Sequence, residues 1–320
     1  MARYRWLGLP ESVFLGLLVL VGPFAGWSRL FAQDLGHRIP GVLGIDAGVQ
    51  GPAGLSLLYR FLYFHAGTLR DRHGDRVPIR GLDLDAVVNV FGLSLTVKPA
   101  GWPYLSFAFA APLAHVTIDS ETPRTGIDRY GFSDLFIQPL KAGWRFRHFD
   151  LVTSYAVYAP TGRFSLTGKG GVGSGAWSHQ LSFGGAVFLD PVLRRRRGSL
   201  LASYFINHRK RGVDIRRGDF LQLQGGVALL VVDPVTVGVA GYALWQTTDD
   251  SGSELPPVLR GARDRVYGLG PEVVIVVPAL HMRIDARYEW DFGVRARPQG
   301  AILVVGVAAL VWQPRPGGRR

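Results

Sequence analysis

Residues His281–Phe292 read HMRIDARYEWDF. His281, Arg283, Asp285, Arg287, Glu289 and Asp291 fall on one parity, and Met282, Ile284, Ala286, Tyr288, Trp290 and Phe292 on the other. Side chains on a strand alternate between its two faces, so this stretch is one strand with an ionic face and a greasy face. In a soluble sandwich the greasy face would be buried and the ionic face would meet bulk water. In an outer-membrane barrel the greasy face would meet lipid and the ionic face would line a wet lumen. Turning the ionic row toward lipid would cost on the order of 10 kcal/mol, at about 2–4 kcal/mol for each basic residue near the midplane. The facing is therefore fixed if the strand spans a membrane.

Working outward, the chain divides into about twelve such segments, each bounded by turn residues. They are Gly54–Ala66, Ala86–Lys98, Tyr104–Val116, Ser133–Arg145, Phe149–Ala159, Ser178–Leu189, Ser199–Asn207, Asp219–Val232, Val235–Thr247, Arg265–Val277, Leu280–Phe292 and Gly300–Trp312. Leu105, Phe107, Phe109 and Leu113 oppose Ser106, Ala108 and Ala110, while Leu221 and Leu223 oppose Gln222 and Gln224. Some segments, such as Val273–Val277, are apolar on both faces. The connections alternate in length. Pro99–Pro103, Phe146–His148, Asp190–Gly198, Asp233-Pro234 and Pro278-Ala279 are short. Gly67–Asp85, Thr117–Phe132, Pro160–Trp177, His208–Gly218, Thr248–Asp264 and Gly293–Gln299 are long. A soluble sandwich has no reason to sort loops by parity, whereas outer-membrane barrels pair tight periplasmic turns with longer outside loops. The expectation is an all-β, closed, antiparallel up-and-down transmembrane β-barrel of about twelve strands, with both termini periplasmic.

The N-terminus has a secretory pattern. Arg3 and Arg5 precede a short apolar core, Val13–Val21, and Ala32 offers a small residue for cleavage. That core is well below the roughly 20 residues a spanning helix needs. The chain is thus expected to comprise a cleaved signal peptide (1–32), an N-terminal periplasmic or lumen segment (33–53), the barrel (54–312) and a basic tail (313–320). The early segment is too rich in Gly and Pro for a full strand, so it is a candidate gate or plug. The 320 residues contain no cysteine, which removes disulfide, thiolate and cysteine–zinc chemistry. The net charge of +12 comes from scattered residues; its one dense run, Arg194–Arg197, reads as a turn near anionic headgroups rather than a nucleic-acid patch.

Several short motifs in order resemble the outer-membrane proteins associated with meta-pathway phenol degradation. They are Leu35-Gly36-His37 with Pro40-Gly41, Gly131-Phe132-Ser133-Asp134-Leu135, Ala159-Pro160-Thr161-Gly162-Arg163-Phe164 leading to Gly175-Ala176-Trp177, Gln246–Gly252 (QTTDDSG) and Arg297-Pro298-Gln299-Gly300. The resemblance covers nearly the whole chain after residue 32. It implies an outer-membrane barrel that passes hydrophobic or aromatic compounds. Members often end on an aromatic residue, whereas here Trp312 is followed by Gln313–Arg320.

No catalytic constellation emerges. Gly168–Gly175 (GKGGVGSG) lacks the spacing of a phosphate loop, and no G-x-S-x-G or H-E-x-x-H occurs. The candidate lumen-lining residues are Arg60, Asp134, Gln138, Gln222, Gln224, His281, Arg283, Asp285, Arg287, Glu289 and Asp291. Asp134 has two readings: a partner for an inward arginine, or a cap at the start of its strand. Asp249 and Asp250 read as a solvated outer loop or, alternatively, as a divalent-cation site. Trp102, Tyr104, Trp144, Tyr158, Trp177, Trp245, Trp290 and Trp312 read as interfacial girdles. The function expected is passive passage of small hydrophobic solutes, aromatic ones among them. A closed structural barrel or an outer-membrane lipid-modifying enzyme are the alternatives. No enzyme activity, cofactor, metal or nucleic acid is expected. The expected partners are outer-membrane lipid, lipopolysaccharide, a small hydrophobic solute and the barrel-assembly machinery.

Overall fold

The computed structural model describes residues 40–122, 124–164, 171–190, 192, 194–257 and 260–314. The expected signal peptide, residues 33–39 and most of the basic tail lie outside the described residues. Within them, thirteen strands form one antiparallel sheet. They are β1 (Gly54–Leu69), β2 (Asp83–Val97), β3 (Tyr104–Glu121), β4 (Arg124–Phe132), β5 (Leu135–Arg145), β6 (Phe149–Ala159) and β7 (Ser178–Phe188). β8 (Arg196–Asn207), β9 (Phe220–Val232), β10 (Val235–Gln246), β11 (Arg265–Val277), β12 (Met282–Arg295) and β13 (Pro298–Trp312) follow. Each strand pairs with its sequence neighbours except β4 and β5, which both pair with β3, and β1 pairs with both β2 and β13, which closes the sheet. Closure leaves no sheet edge facing hydrocarbon, the condition for strands to cross a membrane.

The wall has twelve strand positions because β4 and β5 share one. Leu113–Glu121 of β3 pairs with β4, and Tyr104–Ala110 of β3 pairs with β5. The strand breaks at Ser133-Asp134, where the Ser133 amide still donates to the Pro112 carbonyl at 2.8 Å. Thr117–Phe132, expected as a loop, is therefore a hairpin that lengthens β3 and adds β4. Gly293–Gln299, also expected as a loop, is mostly strand. Only Ala296 and Arg297 separate β12 from β13, with Ala296 at φ 54°.

The facing follows the parity of the sequence. On β12 Asp285, Arg287, Glu289 and Asp291 are buried while Tyr288, Trp290 and Phe292 are exposed. Leu57, Phe91, Phe107, Leu181, Phe183, Leu200, Val227, Val239, Leu269 and Val273 continue the exposed apolar belt around the barrel. Trp290 is 53 % exposed, which a protein in water would not tolerate around a whole circumference. Trp102, Trp144, Trp177 and Trp312 are exposed as well. Tyr158 departs from the girdle reading. It points inward, its ring 6.2 Å from Phe205, and its hydroxyl donates to Gln180 at 3.2 Å.

Candidate functional site

The inside of the barrel has two zones. Toward the rim of short turns it is ionic. Arg287 on β12 has a fully buried side chain and lies 3.3 Å from Glu289, 3.5 Å from Asp285 and 3.9 Å from Glu272 on β11. Arg283 pairs with Asp285 at 2.8 Å, and Arg60 on β1 approaches Asp285 at 3.7 Å. Parity along β12 places its acids and arginines in one row, and the register of β11 sets Glu272 beside Arg287. Buried charges need partners of opposite sign, and alternating signs provide them at short range.

A second partner is the chain itself. Pro40–Gln50 lies inside the barrel and follows its wall from β12 and β10 to β5. Arg287 Nε donates to the Gly41 carbonyl at 2.9 Å, and Arg60 donates to the Val42 carbonyl. The Leu43 amide donates to Gln224 at 3.1 Å and the Ile45 amide to Glu272 at 2.8 Å. Ser199 donates to the Ile45 carbonyl at 2.7 Å. Asp46 bridges Arg197 on β8 (2.6 Å) and Arg283 on β12 (2.9 Å). At the short-turn rim the Gln50 amide donates to Asp150 at 3.2 Å, and Arg145 donates to the Gln50 carbonyl at 3.0 Å.

Small residues make room for this segment. Ile45 is fully buried against Ala228, Ala240 and Val274. A Cβ on the facing Gly226 or Gly238 would stand 3.0 Å from its methyl group. Gly48 lies so close to β7 that a Cβ there would overlap the Gly185 backbone. At these contacts the segment fits because the facing wall position, Gly185, Gly226 or Gly238, is glycine.

Toward the other rim the lumen is apolar. Leu62 and Phe64 of β1 pack in one cluster with Ala86 and Val88 of β2, Ala114 and Val116 of β3, Phe205 of β8, Phe220 of β9, Leu244 of β10 and Ile302 and Val304 of β13. Tyr242 joins the same cluster and donates its hydroxyl to Asp291, the uppermost acid of the β12 row. Above this cluster, Leu69 at the end of β1 and Val213, Ile215 and Leu255 from the long loops form a smaller apolar cap.

Two polar latches hold those loops. Asp134 is buried at the β4–β5 break and accepts from the Gly162 amide at 3.1 Å and the Ser174 amide at 2.8 Å. It joins the Gly131–Leu135, Pro160–Phe164 and Gly171–Ala176 stretches. Asp250 accepts from the Gly218 amide at 2.8 Å and from Gln246 at 2.7 Å, and pairs with buried Arg217 at 3.3 Å. Arg217 also meets Asp264 at 2.8 Å. Asp249 is exposed and pairs with Arg263 at 2.7 Å, so the two neighbouring acids do separate work.

The eleven residues singled out from sequence fall into three groups. Arg60, Gln224, Arg283, Asp285, Arg287 and Glu289 meet around the Pro40–Gln50 segment. Gln222, Gln138 and Asp291 lie on strands β9, β5 and β12, with Gln222 and Asp291 buried. Asp134 and His281 lie off the strands. Asp134 is the loop latch, and His281 is exposed in the β11–β12 turn at φ 49°. Sequence reading missed Glu272 and Tyr242, which sit singly on strands without an ionic row, Asp46 on the segment itself, and Arg197, which belongs to β8 rather than to the turn expected over Arg194–Arg197.

A closed, twelve-position barrel with an apolar belt outside is an outer-membrane β-barrel, and its place is the bacterial outer membrane. Residues 66–305 match the family described as "Putative MetA-pathway of phenol degradation", and the chain belongs to that family. Its fold is similar to that of an outer membrane channel from Pseudomonas putida F1 at 14 % identity and a TM-score of 0.72, covering 85 % of this chain and 99 % of that one. A Pseudomonas aeruginosa FadL homologue matches at 12 % identity and a TM-score of 0.41, covering 87 % and 98 %. No curated protein matches the sequence.

Proposed function

We propose that the barrel is a passive outer-membrane channel for small hydrophobic solutes, aromatic compounds among them. The observation that carries this reading is the apolar inner face built from Leu62, Phe64, Val116, Phe205, Leu244 and Ile302. A lumen for ions or sugars would present polar groups there, because each unpaired apolar surface costs about 25 cal/mol per Å² against water. An apolar solute gains that same term on entering. The ring of Tyr242 and its hydrogen bond to Asp291 mark the boundary where a phenolic hydroxyl would find polar partners.

In this reading Pro40–Gln50 is the plug. Its contacts are mainly main-chain hydrogen bonds to wall side chains, with ion pairs from the Asp46 carboxylate. Each hydrogen bond contributes a net of about 0.5–1.5 kcal/mol where both partners are neutral and about 1.5–3 kcal/mol where one is charged. Such a plug closes the lumen and still yields to a solute pressing from the apolar zone. Gly54 and Trp312, the barrel ends of the chain, lie on the rim of short turns. This supports a periplasmic position for that rim and both termini, with residues 1–32 removed on export and assembly by the barrel-assembly machinery.

The test is deletion of Gln33–Gly51, followed by reconstitution. Planar-bilayer conductance should rise several-fold. Liposomes of the intact chain should take up a phenol faster than a sugar of the same size. Unchanged conductance removes the plug, and equal uptake removes the hydrophobic solute. A sealed structural barrel predicts uptake of neither solute.

A further inference from the structure

We propose that His65, Asp83 and Asp85 form a binding site for a divalent transition-metal ion on the outward face of β1 and β2. His65 Nδ1 lies 3.1 Å from Asp85 Oδ1 and 3.5 Å from Asp83 Oδ1. The three ligand atoms converge within 4.8 Å of one another. Ligands at about 2.0–2.1 Å from a tetrahedral zinc ion stand about 3.3 Å apart, so the His–Asp spacings already fit that ion. One imidazole and two carboxylates suit an ion of intermediate softness rather than magnesium or calcium, which take oxygen alone.

The strand register explains why the three meet. His65 is directly opposite Asp85 in the β1–β2 ladder, and Asp83 is two residues along on the same face. Asp83 in turn lies opposite Asp119 of β3. Like charges facing each other across a ladder are unfavourable, and a bound cation relieves that repulsion. The Tyr63 hydroxyl donates to Asp85 Oδ1 at 2.6 Å, the kind of outer contact that aims a metal-binding carboxylate.

The site's height suits ion capture. His65 lies eleven residues along β1 from the short-turn end. At about 3.4 Å per residue and a tilt near 40°, that places it about 28 Å above that rim, just clear of an apolar band about 25 Å tall. The ligands therefore stand at the level of the opposite headgroups, where ions reach them and lipid tails do not. An ion there ties β1 to β2 beside the barrel's closing seam, its remaining positions open to the outside.

Isothermal titration of the full chain, folded in detergent at pH 7.5, with zinc chloride as the probe tests the site. One ion per chain is expected, with magnesium binding far more weakly. His65→Ala should weaken zinc binding by at least about tenfold, the loss that even an outer-shell change brings. Tyr63→Phe should weaken it while leaving all three ligands in place. Heat-modifiable gel migration shows that each variant is folded, and X-ray absorption of the zinc-loaded chain should show one imidazole among oxygen ligands. His115 on β3, exposed and 2.8 Å from Asp128 of β4, is the alternative imidazole nearby. Absence of stoichiometric zinc binding, full affinity in folded His65→Ala, or loss of binding in His115→Ala instead would overturn the assignment.

Discussion

Around Arg287 the inside of the barrel is charged, and a piece of the chain's own backbone fills it. Around Phe205 the same wall is apolar, and long loops close over it. The two zones are continuous strands of one sheet: β1 carries Arg60 in the first and Phe64 in the second, and β10 carries Gly238 and Leu244. The difference shows two ways of closing a tube. The ionic zone is filled by the Pro40–Gln50 segment, which satisfies polar groups. The apolar zone is filled by side chains that meet one another. A solute that suits one zone is unsuited to the other, so the proposed channel would set its selectivity at the boundary near Tyr242.

Removing the central charge should have the largest effect. Arg287→Met leaves Glu272, Asp285 and Glu289 without their shared partner, and breaking a buried pair costs about 3–5 kcal/mol. A drop in the temperature of heat-modifiable migration should accompany a rise in conductance, because the Gly41 carbonyl loses its donor. Stability unchanged by this substitution would show that the ionic zone is bathed in water.

Changing the other zone should separate the two. Leu244→Asn puts an amide into the apolar cluster and should slow uptake of a phenol while leaving ion conductance as it is. Phe205→Ala should cost about 3–5 kcal/mol if the cluster stays collapsed, and less if solute or detergent fills the space. Comparing its stability with and without a bound aromatic compound sharpens the contrast.

The smallest effect concerns the loops above. The Asp214 carboxyl is held below its usual 3.8 by hydrogen bonds from the Ser253 amide and hydroxyl. A carboxyl lowered on folding adds stability above its unfolded value, and that stability fades as pH falls below 3.8 through the folded value. Hydrogen exchange at Ser253 should therefore quicken over that acid range, and Asp214→Asn should abolish the pH dependence.

Most of the wall was legible because lipid enforces alternation. Where a strand crosses hydrocarbon, as at Tyr288, Trp290 and Phe292, its outward positions must be apolar and the period of two stands out. Above the membrane that demand lapses. Apart from Ile118 and Ile127, which join the inner cluster, the β3–β4 hairpin is mostly polar on both faces and so reads as a loop, and the β12–β13 connection is misread because it too lacks the lipid-enforced alternation. The apolar zone was hidden differently. Leu62 and Phe64 face inward between outward Phe61 and Tyr63, and a strand apolar on both faces carries no parity. The Pro40–Gln50 segment was legible only as a stretch of Gly and Pro. Arg287, Arg60, Gln224 and Glu272 grip main-chain atoms, which leave no mark in the sequence. Asp134 and Asp250 stood out as parts of motifs, but their work as latches depends on loops that meet only in the fold.

The native chain has no cysteine, so a single engineered pair can decide whether the plug governs passage. Ile45→Cys with Ala240→Cys joins two residues that touch inside the ionic zone. In liposomes the oxidised pair should stop phenol uptake, and a reducing agent should restore it to the rate of the unmodified chain. Uptake at the same rate in both redox states would contradict a displaceable segment in the lumen.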